Sequence, residues 1–164
     1  MKILAIDPGY ERLGIAILEK EETKKETLLF SECFKTSSKE PHNIRLSKVA
    51  KRLEEVIEEF QPTHTAIETL FFSKNTKTAL KVSEARGVII ERSTSLGLEI
   101  VEFSPQEIKI AVTGAGNSDK TAVMKMVPLL IDIGSTKKQD DEFDAIACGL
   151  AFFATQNMRN LLSR

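Results

Sequence analysis

Four consecutive apolar residues, Ile3-Leu4-Ala5-Ile6, run straight into Asp7 and a Pro8-Gly9 turn. A run with no polar alternation suits a strand covered on both faces, since neither face can be left in water. A sheet with layers above and below it is therefore expected. The carboxylate is the anomaly. Asp7 stands where the chain leaves the core, and the turn after it holds it there.

The rest of the chain supplies those layers. Leu13 to Lys20 reads as a second strand, "EKEETKKE" as a hairpin tip, and Thr27 to Thr36 as a third strand. Links this short favour antiparallel neighbours. After the loop "SSKEPHN", apolar residues at Leu46, Val49, Ala50, Leu53, Val56, Ile57 and Phe60 trace one face of a helix. A fourth strand follows at Thr65 to Glu68, then a long helix from Thr76 to Leu96 ended by Gly97, then a fifth strand in "LEIVEFSP". Ser104-Pro105 has the form of a helix start. Ser118 is expected to cap a helix from Asp119 to about Ile131, and a last helix is expected from about Asp141. The final ten or so residues read as a helical extension or a frayed tail. With no internal repeat and no long linker, residues 1–164 read as one domain: α/β, a mixed five-stranded sheet flanked by helices.

Composition excludes more than it selects. A formal net charge of −1 gives no global sign of a nucleic-acid partner, so local charge has to be examined. No stretch approaches the ~18 apolar residues that a membrane span needs. Cys33 and Cys148 lack metal-ligand spacing and read as two buried thiols of a reducing cytoplasm. His42 and His64 fall in loop-like sequence with no catalytic serine or cysteine constellation beside them. Gly114, Lys120 and Thr121 approach a phosphate-binding loop, but Asp119 stands where its second glycine is needed.

The carboxylates carry the chemistry. "TAIETL" repeats the first strand's pattern, with Glu68 directly after Ala66-Ile67. If the two strands are parallel neighbours, both acids emerge at the carboxyl edge of the sheet, where open α/β sheets bind ligands. Asp141 and Asp144 share a helix face and lie in a first turn, where the dipole favours anions. Singly, each has an ordinary structural explanation as a turn opener, a strand end or a cap. Together they repel one another unless cations neutralise them. Hard divalent cations are the natural partners, and two of them about 4 Å apart form a phosphoryl-transfer clamp.

Taken as a set, "IDPG", "AIETLFFSKNTKTAL", "EARGVI", "EIKIAVTGAGNSDK" and "DEFDAIA" resemble the RuvC family, over roughly Met1 to Phe153. These are Holliday junction resolvases of the ribonuclease H-like superfamily. The resemblance implies that fold, a homodimer, and Mg²⁺- or Mn²⁺-dependent nicking of two opposed strands at a four-way DNA junction, with two ions per site. The nicks would leave 5′-phosphate and 3′-hydroxyl ends that ligase can seal, in recombination and repair. A branch-migration helicase complex is implied as a partner.

By motif, Asp7, Glu68, Asp141 and Asp144 match the metal-binding acids, with Asp141 and Asp144 flanking Glu142 and Phe143 where relatives commonly carry small residues. Asp140 adds a neighbouring acid, and the spacing to Asp144 favours Asp141 as the ligand. Lys109 and Lys120 match basic residues near the scissile phosphate, and Phe71 matches an aromatic that packs against junction bases. Lys74, Lys77 and Lys81 fall at helical spacing and could follow one phosphate backbone. The long helix matches the family's dimerisation helix, so Ala79, Val82, Ala85, Arg86 and Ile89 are expected at the interface. Two readings stay open beside this one: a ribonuclease H-like nuclease for RNA–DNA hybrids, and a junction-binding module without catalysis.

Overall fold

Five strands form one mixed sheet: β1 (Lys2–Asp7), β2 (Arg12–Glu19), β3 (Thr27–Lys35), β4 (His64–Glu68) and β5 (Glu99–Phe103). Their order is β3-β2-β1-β4-β5, and the structure, a computed structural model, describes residues 1–22, 24–70 and 76–162. β1 pairs antiparallel with β2 and parallel with β4, β2 antiparallel with β3, and β4 parallel with β5. The helices are α1 (His42–Phe60), α2 (Thr76–Ser95), α3 (Pro105–Thr113), α4 (Lys120–Leu130) and α5 (Asp140–Leu162). None of those described is long and apolar enough to cross a membrane.

The period-2 alternation of the strands divides the core in two. Ile3, Ala5, Ala16, Leu18, Ala66 and Phe103 face the layer of α3, α4 and α5. Leu4, Ile6, Leu13, Ile15, Ile17 and Ile67 face Val49, Leu53, Val56 and Ile57 of α1, and Ile89 of α2. β1 and β2 are thus covered on both sides, as their unbroken apolar runs require. α5 is buried nearly all round from Ala145 to Phe153. It approaches the sheet closely through Gly149, where an added Cβ would lie 2.6 Å from Leu18 Cδ1.

Three boundaries differ from the sequence reading. α1 starts at His42 rather than Leu46, because its first inward residue is not apolar. Arg45 is 3% exposed and lies 3.7 Å above the Tyr10 ring, with Nε donating to Thr36 Oγ1 at 2.9 Å and Nη2 to the Tyr10 carbonyl at 3.1 Å. An apolar count cannot see a buried arginine. α4 is capped by Asp119, whose Oδ1 accepts the Ala122 N–H at 2.7 Å, while Ser118 Oγ pairs with Thr113 Oγ1 instead. His64 opens β4 rather than lying in a loop, and the tail continues α5 as far as Leu162. The expected helix start at Ser104-Pro105 is present and closed by a capping box, with Ser104 Oγ accepting the Glu107 N–H and Glu107 Oε2 accepting the Ser104 N–H.

Candidate active site

One transverse row of the sheet organises the site. Asp7 is in register with Gly14, and Gly14 with Cys33. On the other side Ile6 pairs with Ile67, so Glu68 is the next step beside Asp7, and it is in register with Phe103. Residues in register point to the same face. Cys33, Gly14, Asp7, Glu68 and Phe103 therefore share the α5 face at the carboxyl edge of β1 and β4.

The first turn of α5 lies directly over that row. A Cβ on Gly14 would sit 2.1 Å from the Asp141 carbonyl oxygen and 3.1 Å from Asp7 Cβ. Glycine is what allows the helix backbone to rest on β2 there. The sequence reading passed over it, although glycine inside a strand is a recognised mark of close backbone approach.

The clustering has an electrostatic signature. The Asp7 carboxyl is pushed up to about 8, first by burial and then by repulsion from Asp144, Glu68 and Asp141, against a downward pull from Lys120. Burial and then Asp144 push Glu68 up to about 7, while Lys109 and Lys120 pull it down. Asp7 alone of the two is coupled to all three other acids, which marks it as the centre of the group. Lys120 Nζ donates to Asp144 Oδ2 at 2.8 Å and stands 3.8 Å from Asp140. Burial works against its charge, but Asp144, Asp140 and Asp7 together hold its ammonium above the usual lysine range. Asp141 pairs with Arg12 Nη2 and accepts from Cys33 Sγ at 3.5 Å.

Asp140 and Asp141 are separated by burial: the Asp140 side chain is 58% exposed and the Asp141 side chain 19%. Two clefts open side by side here. One, of about 160 Å³, is lined by Glu68, Lys109, Lys120 and Asp144, and the other, of about 230 Å³, by Asp7, Pro8, Glu68, Thr69 and Leu70. Glu68 lines both, so Asp7, Glu68, Asp144 and the two lysines face adjoining clefts, while Asp141 lines neither.

A hard divalent cation fits this donor set. All four acids offer oxygen only, and burial and then repulsion from the neighbouring acids raise Asp7 and Glu68 toward neutrality, a cost that a cation would offset. Among the described residues no three His, Cys, Asp or Glu side chains are gathered into a ready cage. Arg12 and Lys120 engage Asp141 and Asp144, as substitute cations would.

The remaining expectations divide. Lys109 lines the cleft with Glu68. Lys81 is exposed, with Nζ 5.1 Å from the Tyr10 ring centre. Phe71 and Lys74 lie outside the described residues, as does the side chain of Lys77. Of the interface set, Ala85 and Ile89 are 1% and 0% exposed within this one chain, Ile89 in the cluster that joins α1 to the sheet. Arg86 turns back into its own subunit, where Nε donates to the Glu68 carbonyl at 3.2 Å and Nη2 pairs with Glu102. Ala79 and Val82 are partly buried, and Leu80 beside them is 65% exposed. Cys33 is half-buried at the site rather than in the core, and both cysteines are free thiols. Arg12 and Cys33 were missed for the same reason as Gly14: their contacts with Asp141 span more than 100 residues of sequence.

Known proteins resemble the chain over nearly its whole length. A family model for crossover junction endodeoxyribonuclease RuvC matches residues 3–152. A protein of that name from Brachyspira hyodysenteriae is 44% identical over 160 residues, 98% of each chain. One from Finegoldia magna is 41% identical over 150 residues, 92% of this chain and 91% of the other. The structure of Thermus thermophilus RuvC in complex with a Holliday junction substrate superposes with a TM-score of 0.89 at 29% identity, covering 96% of each chain. The yeast mitochondrial Holliday junction resolvase has a TM-score of 0.67 over 94% of this chain and 79% of its own, at 13% identity, a likeness of fold alone.

Proposed function

The chain belongs to the crossover junction endodeoxyribonuclease RuvC family, and from that membership we propose that it resolves four-way DNA junctions by two symmetric, metal-dependent nicks. The observation that carries the reading to these residues is Asp7, a partly buried carboxyl coupled to three other acids at the edge of a ribonuclease H-like sheet. Asp7, Glu68, Asp141 and Asp144 would hold two Mg²⁺ or Mn²⁺ ions, in one nuclease domain spanning the chain. When bound, such ions lower the pKa of a water and stabilise the leaving 3′ oxygen of an in-line displacement.

The protein's own groups prepare that chemistry. Asp7, coupled to all three other acids, would be the ligand central to the group, with Glu68, Asp144 and Asp141 completing the donor set. With metal bound, Arg12 and Lys120 would no longer be needed by Asp141 and Asp144, and Lys120, charged throughout the physiological range, would be free for the substrate phosphate, with Lys109 lining the same cleft. Preorganised positive charge of this kind stabilises a pentacoordinate phosphate more than its ground state. Two bound divalent ions change the formal charge from −1 to +3 per subunit, so binding strengthens with metal and weakens with salt.

A C2 homodimer supplies two sites for two opposed cuts, with Ala79, Leu80 and Val82 of α2 as its available apolar face. Mass measurement at micromolar concentration tests this, and a strict monomer removes it. Phe71 would stack on opened bases, a contribution of about 1–3 kcal/mol. A branch-migration helicase partner and a cytoplasmic location complete the reading; the two free thiols fit a reducing compartment.

Titration gives a first check. Metal binding forces Asp7 and Glu68 to ionise, so protons leave as metal enters. With folded values of about 8 and about 7, calorimetry in buffers of different ionisation enthalpy should find nearly two protons released at pH 6 and few at pH 9. Apparent metal affinity should rise over that range and level off above pH 8. Release independent of pH would contradict the assignment of these two acids.

The functional test is direct. Incubated with Mg²⁺ and an immobile four-way junction, a linear duplex or an RNA–DNA hybrid, the protein should place paired nicks at symmetric positions in the junction alone. Preference for the hybrid would overturn junction resolution while leaving the fold intact.

A further inference from the structure

Glu142 stands between Asp141 and Asp144, yet its carboxylate turns away from the site. It is 8% exposed. Oε1 accepts from Ser31 Oγ of β3 at 2.7 Å and lies 3.7 Å from Lys138 Nζ. Oε2 accepts the Gln139 N–H at 2.8 Å, which satisfies a donor at the start of α5. Lys138 Nζ donates to Ser31 Oγ at 2.7 Å, so the hydroxyl links the ammonium to the carboxylate. The Lys138 and Glu142 side chains are only 9% and 10% exposed.

A buried ion pair is a poor way to gain stability, since desolvation offsets most of the attraction. What a fully bonded network does impose is a single arrangement. Successive helix residues step about 100° around the axis. Tying Glu142 to β3 therefore sets the directions in which Asp141 and Asp144 leave the same turn. Gly14 sets how close that turn lies to β2; the network sets its rotation.

We propose that Glu142, held by Ser31 and Lys138, is a positioning residue that aims Asp141 and Asp144 for metal binding. This rests on the metal-site reading above, and the experiment separates the two. Mn²⁺ binding is measured by the electron paramagnetic resonance of free Mn²⁺, and junction cleavage is followed against Mn²⁺ concentration, at a temperature where circular dichroism shows each variant folded. Glu142→Ala should raise the Mn²⁺ Kd and the half-saturating Mn²⁺ by about 10–100-fold, the range for losing an orienting contact. Saturating Mn²⁺ should restore most of the cleavage rate. Glu142→Gln, which keeps an acceptor for Ser31 or Gln139, should recover part of the affinity.

If Glu142→Ala does not fold, Ser31→Ala serves, since it removes the linking hydroxyl and leaves both charges in place; a several-fold rise in Kd is expected. Melting temperatures that fall while Kd and half-saturation stay within twofold of the parent would overturn the proposal and leave a purely structural clamp. Should the parent protein bind no Mn²⁺, or Asp7→Asn bind it undiminished, the metal-site reading itself fails, whatever Glu142 does.

Discussion

Asp7→Asn is expected to lose junction cleavage by at least about 10²–10³-fold, the scale for removing one preorganised electrostatic group, and yet to melt higher than the parent when metal is absent. The second half follows from the site's own repulsion. In the folded protein the Asp7 carboxyl titrates at about 8, against 3.8 when unperturbed. Below pH 4 it is protonated in both states and has no effect. Between 4 and 8 the unfolded chain has released a proton that the folded chain retains, so stability falls as pH rises. Above 8 the full deficit remains. Glu68 behaves likewise between 4.5 and about 7.

An amide at position 7 never ionises. It should restore a few kcal/mol at pH 8 and almost nothing at pH 4. For a domain of this size that is a rise in Tm of roughly 5–10 °C at pH 8. Saturating Mg²⁺ should reverse the order, because it stabilises the parent through its ligands and the variant much less. Thermal melts of chelator-treated protein at pH 5 and pH 8, beside a junction assay, measure all of this. A variant that melts no higher than the parent at pH 8 without metal would mean that Asp7 is not a strained, uncompensated charge.

The second large effect belongs to a residue with no chemistry of its own. At Gly14 a methyl group would meet the carbonyl oxygen and carbon of Asp141 at 2.1 and 2.8 Å. Both sides of that contact are backbone, so neither can rotate aside. The first turn of α5 would have to lift by about an ångström, and misplacement on that scale can cost about 10²-fold in rate. Gly14→Ala should therefore lose roughly 10²-fold in cleavage together with about 1–3 kcal/mol of stability.

Gly149→Ala is the natural control. Its neighbours are both Leu18 methyls at 2.6 and 2.9 Å and the Ala5 Cβ at 3.2 Å, all in the buried core, and alanine offsets part of that crowding with about 1 kcal/mol of helix propensity. It should lose about 1–3 kcal/mol of stability, as Gly14→Ala does, and yet keep its activity, because the crowding lies away from the acids. Matched melts and single-turnover cleavage of the three proteins decide the matter. Activity within threefold of the parent for Gly14→Ala would show that the first turn of α5 does not set the site.

Much of this protein was legible from local pattern. Ile3 to Ile6 could only be a covered strand, and the short links after it could only return antiparallel neighbours. Ser104-Pro105 declared a capped helix start, and Asp7 and Glu68 were each marked by standing where an apolar run stops. Those signals are local because they depend on backbone geometry and on the side-chain period of each element. The motif resemblance added which acids belong together and what reaction they serve.

What remained hidden shares one cause. Arg45, Cys33, Arg12, Glu142 and Arg86 look like ordinary surface residues, because a polar side chain reveals its role only through its partner. Those partners lie from 9 residues away (Arg45 to Thr36) to 129 (Arg12 to Asp141) in the chain. Ala85 and Ile89, expected at an interface, are covered within this one chain: an apolar stripe shows that a helix face is buried, but not what covers it. Sequence alone thus determined the elements and their order, and marked four acids as candidates. Only the packed structure decided how closely α5 rests on Gly14, which way Asp141 turns, and which cations hold the carboxylates, because those depend on distances between segments that no local period encodes.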